Sequence, residues 1–281
     1  MLPWRGRNGE FSWFKAIVFA AALAPALWLA WRAGLGDLGP RPWTEAIHRS
    51  GDWALRFLLL GLAVTPVRLI FRWGRVMTVR RMLGLTALGY ALLHLALYVG
   101  DMGADLPKVA TEIALRVYLT IGFVVGLGLA VFGATSPDGM VRRLGGRRWR
   151  ALHRAVYPLA ALGALHFFMQ SKLEITEAAL MAGALVWLLA IRVWPWRGAW
   201  GLAALAPLAA TVAALIEATW ISLKAGAPLA LVLAANIDPD LAPRPSLWIL
   251  AAGLAVAGLA ALSSQRSPAA PRTATVLRPT H

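Results

Sequence analysis

The chain has 281 residues, 59% of them hydrophobic and only 15% charged, with a mean hydropathy of +0.64. Soluble domains carry about 25% charged residues, and disordered chains pair low hydrophobicity with high charge, so this composition excludes both classes. There is no Cys, which removes disulfides, Fe–S clusters, thiolate metal sites and cysteine nucleophiles.

A bilayer core about 30 Å thick needs roughly 20 apolar residues in a helix. Eight charge-poor runs near that length occur in chain order: 14–31, 53–71, 82–99, 114–133, 151–170, 175–194, 199–220 and 246–262. The first contains Pro25 and reads as a span rather than a secretory leader. The longest connection, 221–245, holds PLALVLAAN followed by a Pro/Asp-rich stretch, and the Ser/Pro/Arg/Thr-rich tail 263–281 reads as disordered. There is no G-x-G-x-x-G and no P-loop, and LGGRR (144–148) reads as a loop between spans. The fold class is therefore all-α: a polytopic helical membrane bundle.

The net charge of +15 needs no nucleic-acid partner. If the N-terminus lies in the cytoplasm, the inner segments collect 19 of the 28 Lys and Arg residues against two acids, Glu10 and Asp138. Such a bias places both termini inside and requires an even number of spans. The 14 Trp residues gather near span ends, as at Trp53, Trp73, Trp149, Trp194 and Trp196, and read as an interfacial belt. Glu217, near the outer end of the seventh run, reads as a carboxylate facing the interface rather than a proton relay.

Ionisable side chains within spans are costly and mark function. Three of the five His fall in spans: His94 in the third, His153 and His166 in the fifth. These two spans run in the same direction. His94 and His166 reach similar depth in the outer half, and His153 lies near the inner end, about 20 Å below His166 at roughly 1.5 Å per residue. Thirteen residues rotate an ideal helix by about 220°, so His153 and His166 do not share a face unless Pro158 kinks the span. A neutral imidazole tolerates low dielectric and binds haem iron axially, so the three His read as haem ligands. Gly84, Gly89, Gly163 and Ala164 offer room for the cofactor, and Arg80, Arg81, Arg147 and Arg148 are candidates for propionate contacts.

The stretches IHRSGDWALRFLLLGLAVTP (47–66), TVRRMLGLTALGYALLHLALY (78–98), RVYLTIG (116–122) and LGGRRWRALHRAVYPLAALGALHFF (144–168) resemble the MsrQ (YedZ) family, within the ferric-reductase-like transmembrane group. The resemblance covers about residues 10–195. It implies a six-span haem-binding core there; residues 196–262 depart from the family pattern as two further spans, followed by a cytoplasmic tail over 263–281. It also implies a bacterial inner-membrane subunit carrying haem b, one or two, and FMN, although no FMN motif is visible. The electron donor would be the quinone pool or a cytoplasmic flavin reductase. The acceptor would be a periplasmic molybdopterin-containing methionine-sulfoxide reductase. The family's ligand histidines fall on His94, His153 and His166. Ferric reductases carry two His on each ligand helix, whereas Arg81 stands 13 residues before His94 here, so a symmetric four-His site is not available. No catalytic acid, base or nucleophile is expected. Direct metal reduction at the outer face is the alternative, and it would need a separate donor. A transporter fits less well, because buried acids are nearly absent.

Overall fold

The computed structural model describes residues 3–6, 9–171, 174–238 and 240–265; the tail beyond 265, with most of the segment expected to be disordered and with His281, lies outside them. The elements are α1 (Trp13–Gly34), α2 (Pro42–Phe71), a 3-10 turn (Gly74–Val79), α3 (Arg80–Asp101), α4 (Leu106–Leu115) and α5 (Val117–Ala134). They continue with α6 (Asp138–Leu144), α7 (Gly146–His153), α8 (Val156–Gln170), α9 (Thr176–Val193), α10 (Ala199–Ala225), α11 (Leu229–Ala235) and α12 (Pro245–Gln265). Among the described residues the only extended pairing is an isolated bridge between Arg5 and Phe11. The molecule is a polytopic helical membrane protein.

Among the described residues, seven helices are long and apolar enough to cross a bilayer: α1, α2, α3 with its preceding turn, α5, α9, α10 and α12. The fifth expected span is divided. Its helix stops at His153 and resumes at Val156 as the 15-residue α8. Pro158 explains the break: it has no N–H for the carbonyl of Arg154, and its ring would collide with that oxygen in a continuous helix. The chain turns instead through Arg154 and Ala155, where the N–H of Tyr157 donates to Arg154 O at 3.2 Å.

The outer surface is apolar. Trp13, Leu27, Leu92, Leu127, Leu208 and Leu254 all point away from the bundle, as lipid-facing side chains must. One core joins α1, α2, α3, α5, α8 and α9. A second joins α9, α10 and α12. Small residues bring these helices close: Ala178, Ala179 and Ala182 on α9 and Ala206, Ala209 and Ala213 on α10 are all buried.

The second helix begins 11 residues before the expected start at 53. Its added turns, Pro42–Asp52, carry Glu45, His48, Arg49 and Asp52, which ended the apolar run without ending the helix. They also carry Ile47 and Gly51 to the side of His94. The connection 221–245 is not featureless, because PLALVLAAN forms α11.

Candidate functional site

The third and fifth spans bring His94 on α3 and His166 on α8 together. Their ring centroids lie 6.2 Å apart with the planes perpendicular. Each ring is tied by one nitrogen to a main-chain oxygen of a different helix. His94 Nδ1 lies 2.7 Å from Ile47 O on α2, and His166 Nδ1 lies 2.7 Å from Tyr118 O on α5. A carbonyl only accepts, so each Nδ1 carries the hydrogen and donates it. Each Nε2 is thereby left with its lone pair, the form of imidazole that binds a metal. Anchoring the far nitrogen also fixes ring orientation and raises ligand basicity, as in metal sites generally.

The spacing of the pair is that of two imidazoles that would share one metal ion. A metal–imidazole bond is about 2.0–2.1 Å, which places two opposed ring centroids roughly 6 Å apart, close to the observed separation. Helices α2, α3, α5 and α8 supply this arrangement. The matched depth expected of His94 and His166 is therefore realised as contact.

His153 is not part of this pair. It ends α7, with its ring stacked on Trp149 at 4.1 Å and on Phe132 at 5.0 Å. Its Nε2 is 3.1 Å from Thr135 Oγ1. The Trp149 indole N–H donates to Thr135 O at 2.9 Å, closing this end of the fifth span onto the end of α5. The divided helix, and not a kink in a continuous one, separates His153 from His166.

The four candidate arginines lie at the His153 end. Arg81 pairs with Asp138. Arg80 lies near enough for its charge to act on His153, and Arg147 and Arg148 are exposed on α7. Arg81 is 13 residues before His94, about 20 Å along the helix, so these side chains lie at the His153 end and do not reach the paired imidazoles. Nearer the pair are Arg49, bonded to Glu45 at 2.7 Å, and Arg56, bonded to Glu177 at 2.8 Å. The expected roominess also shifts. Gly84 and Gly89 border open space with no neighbouring atoms, and Gly163 packs against Leu55 and Val125.

Glu217 is not at an interface. It is 1% exposed and pairs with Arg244 at 3.0 Å. Arg244 arrives from the segment before α12, a partner that hydropathy does not reveal.

A bundle of apolar helices that brings two metal-competent imidazoles together at one depth defines a polytopic membrane protein with a paired-histidine site. In keeping with that class, a family model described as ferric reductase like transmembrane component matches residues 50–164, which include His94 and His153 and stop two residues before His166. The chain belongs to the MsrQ family. It is 45% identical over 182 residues to the protein-methionine-sulfoxide reductase heme-binding subunit MsrQ of Rhodospirillum rubrum, covering 64% of this chain and 88% of that one. It is 44% identical over 187 residues to the subunit of the same name from Xanthomonas euvesicatoria, covering 64% and 85%. With that of Polaromonas naphthalenivorans it shares 39% over 183 residues, covering 64% and 84%. No solved structure matches it.

Proposed function

We propose that this chain is the haem-binding membrane subunit of a methionine-sulfoxide reductase system, with His94 and His166 as axial ligands to a b-type haem in the outer half of the bundle. The observation that carries the reading is the pair of imidazoles, 6.2 Å apart, each with Nδ1 bonded to a helix carbonyl. Haem supplies a one-electron iron couple whose potential follows axial ligand and burial. The chain's own residues do the rest. His94 and His166 offer neutral Nε2 donors, and Ile47 O and Tyr118 O hold them in one tautomer.

His153 is the candidate ligand of an inner position, with Arg80, Arg81, Arg147 and Arg148 around it as candidate propionate contacts. At that position Thr135 occupies the ring's Nε2, so iron would have to replace this hydrogen bond or bind Nδ1. A second haem there, FMN, the quinone pool or a cytoplasmic flavin reductase as donor, and a periplasmic molybdopterin-containing reductase as acceptor are the system this reading implies. In it residues 10–195 form the haem core and 196–262 an added pair of spans. The Arg bias supports both termini in the cytoplasm, in a bacterial inner membrane.

The test is a visible spectrum with haem quantitation per chain, oxidised and dithionite-reduced. The intact protein is expected to show a low-spin Soret band. His94→Ala and His166→Ala are each expected to remove that low-spin signature, and His153→Ala to leave it. A signature that survives in the triple His94, His153, His166→Ala variant overturns the reading. Reduction of ferric chelates without any periplasmic partner would favour direct metal reduction instead.

A further inference from the structure

We propose that Gly51 and Gly122 are positioning residues for the two imidazoles. Each forms, with the carbonyl four residues before it, a seat in which one ring is held against a helix. The inference rests on the ligand reading above and adds residues that reading does not require.

In a regular helix the carbonyl of residue 47 accepts the N–H of residue 51, and that of 118 accepts the N–H of 122. Both oxygens also receive a histidine Nδ1–H at 2.7 Å. This second donor must approach from the side of the helix. Side chains tilt toward the helix N-terminus, so the surface over a given turn is covered by the residue that follows it. A Cβ at 51 or 122 would therefore stand where the ring comes in. Built on the backbone, a Cβ at 51 would lie 2.9 Å from His94 Nδ1 and 3.1 Å from Cε1. One at 122 would lie 2.7 Å from His166 Cε1, 2.9 Å from Nδ1 and 3.0 Å from Nε2. The same device thus occurs twice, on α2 facing α3 and on α5 facing α8, with the same four-residue offset.

Other glycines separate this role from ordinary close packing. A Cβ at Gly128, on the same helix as Gly122, would meet the end of the Leu159 side chain, which can swing aside. The imidazoles cannot, because one nitrogen is bonded to the carbonyl and the other is required for iron. Gly258, on α12 and outside the four helices that carry the pair, has no neighbouring atom within 4 Å.

The experiment compares Gly51→Ala and Gly122→Ala with Gly128→Ala and Gly258→Ala in the purified full chain. The readouts are haem per chain, the electron paramagnetic resonance signature of the oxidised protein and its midpoint potential. Loss of a group that orients a metal ligand costs about 10- to 100-fold in affinity. The first two variants are expected to lose at least about tenfold in haem affinity and to change both signature and potential, while the two controls keep all three.

Where the methyl would hinder folding, a His94→Gly background opens the space that it needs. In that background added imidazole is expected to restore the low-spin signature, and Gly51→Ala to weaken its affinity about tenfold, with Gly258→Ala without effect. If His94→Gly alone keeps the native signature, the ligand assignment falls and the seat with it. If His94→Gly loses the signature but Gly51→Ala and Gly122→Ala match the controls, the seat alone is overturned.

Discussion

The hydroxyl of Tyr90 makes a contact that no hydropathy profile records. It donates to Ala22 O at 2.9 Å and accepts the N–H of Ala26 at 2.9 Å, two groups that would bond to each other in an uninterrupted helix. Pro25 lies between them and opens α1, and the buried phenol of α3, stacked on Phe57, fills the opening. Tyr90→Phe is expected to lower stability by about 1–3 kcal/mol, the cost of leaving buried polar groups without a partner. The check is thermal unfolding in detergent, and Pro25→Ala should recover part of the loss by letting the helix close. Residue identity alone was enough to single out His94 and His166, because an imidazole in a span is rare and costly. The carbonyls and glycines that hold them were not legible. Ile47 and Gly51 lie on the early turns of α2, where charged neighbours interrupt the apolar run, so composition assigned residues 47–52 to a loop; Tyr118 and Gly122 fell within the expected fourth span, but nothing in a single sequence pairs them with His166.

At the level of elements, proline again sets the terms. Pro66 lies inside α2 and cannot donate to Leu62 O. Arg192 of α9 supplies the missing donor: its guanidinium bonds both Leu62 O and its own Leu188 O and rests over the Tyr157 ring. In the sequence this arginine counted only toward the inner positive charge. Its structural role depends on two helices meeting 126 positions apart in number, Pro66 and Arg192, which single-chain periodicity cannot supply. Arg192→Met is expected to cost about 1.5–3 kcal/mol, the range for hydrogen bonds made by a charged group. Pro66→Ala restores an N–H to the helix, so the double variant should lose clearly less than the sum, with a coupling of roughly 1 kcal/mol or more in a thermal-unfolding double-mutant cycle. Simple additivity would show that Leu62 O does not depend on Arg192. The spans themselves were legible to within a few residues for α1, α3, α5 and α9. The exceptions have local causes: Pro158 divides the fifth, and the polar first turns of α2 hide its true start.

The whole molecule joins two bodies of helix packing through α9. The match covers 88% of the Rhodospirillum rubrum relative but only 64% of this chain, and we propose that α10–α12 are an addition seated on the core. The seat is close. A Cβ at Gly183 of α9 would meet Ala213 and Ile249 at 2.9 Å, and Trp220 lies 5.2 Å from Phe168, two residues from His166. Within the addition, Glu217 of α10 is buried while the Arg244 side chain that pairs with it is 31% exposed. Ser246 and Asn236 are joined beside them at 2.6 Å. This asymmetry predicts unequal costs. Glu217→Gln leaves a guanidinium that can turn toward water. Arg244→Met leaves a carboxylate enclosed without its counter-charge, a loss of about 3–5 kcal/mol for a fully buried pair and toward the lower end here because the arginine is partly solvated. Unfolding in detergent should therefore fall further for Arg244→Met than for Glu217→Gln. Adding Glu217→Leu to Arg244→Met should restore most of the loss, since an apolar pair of similar volume avoids the desolvation cost altogether. The oxidised haem signature should be the same in all three variants, because the imidazole pair is anchored by α2 and α5 and not by the addition. Equal destabilisation by the two single variants would mean that the ion pair is solvated. A changed signature would mean that α10–α12 help to shape the site.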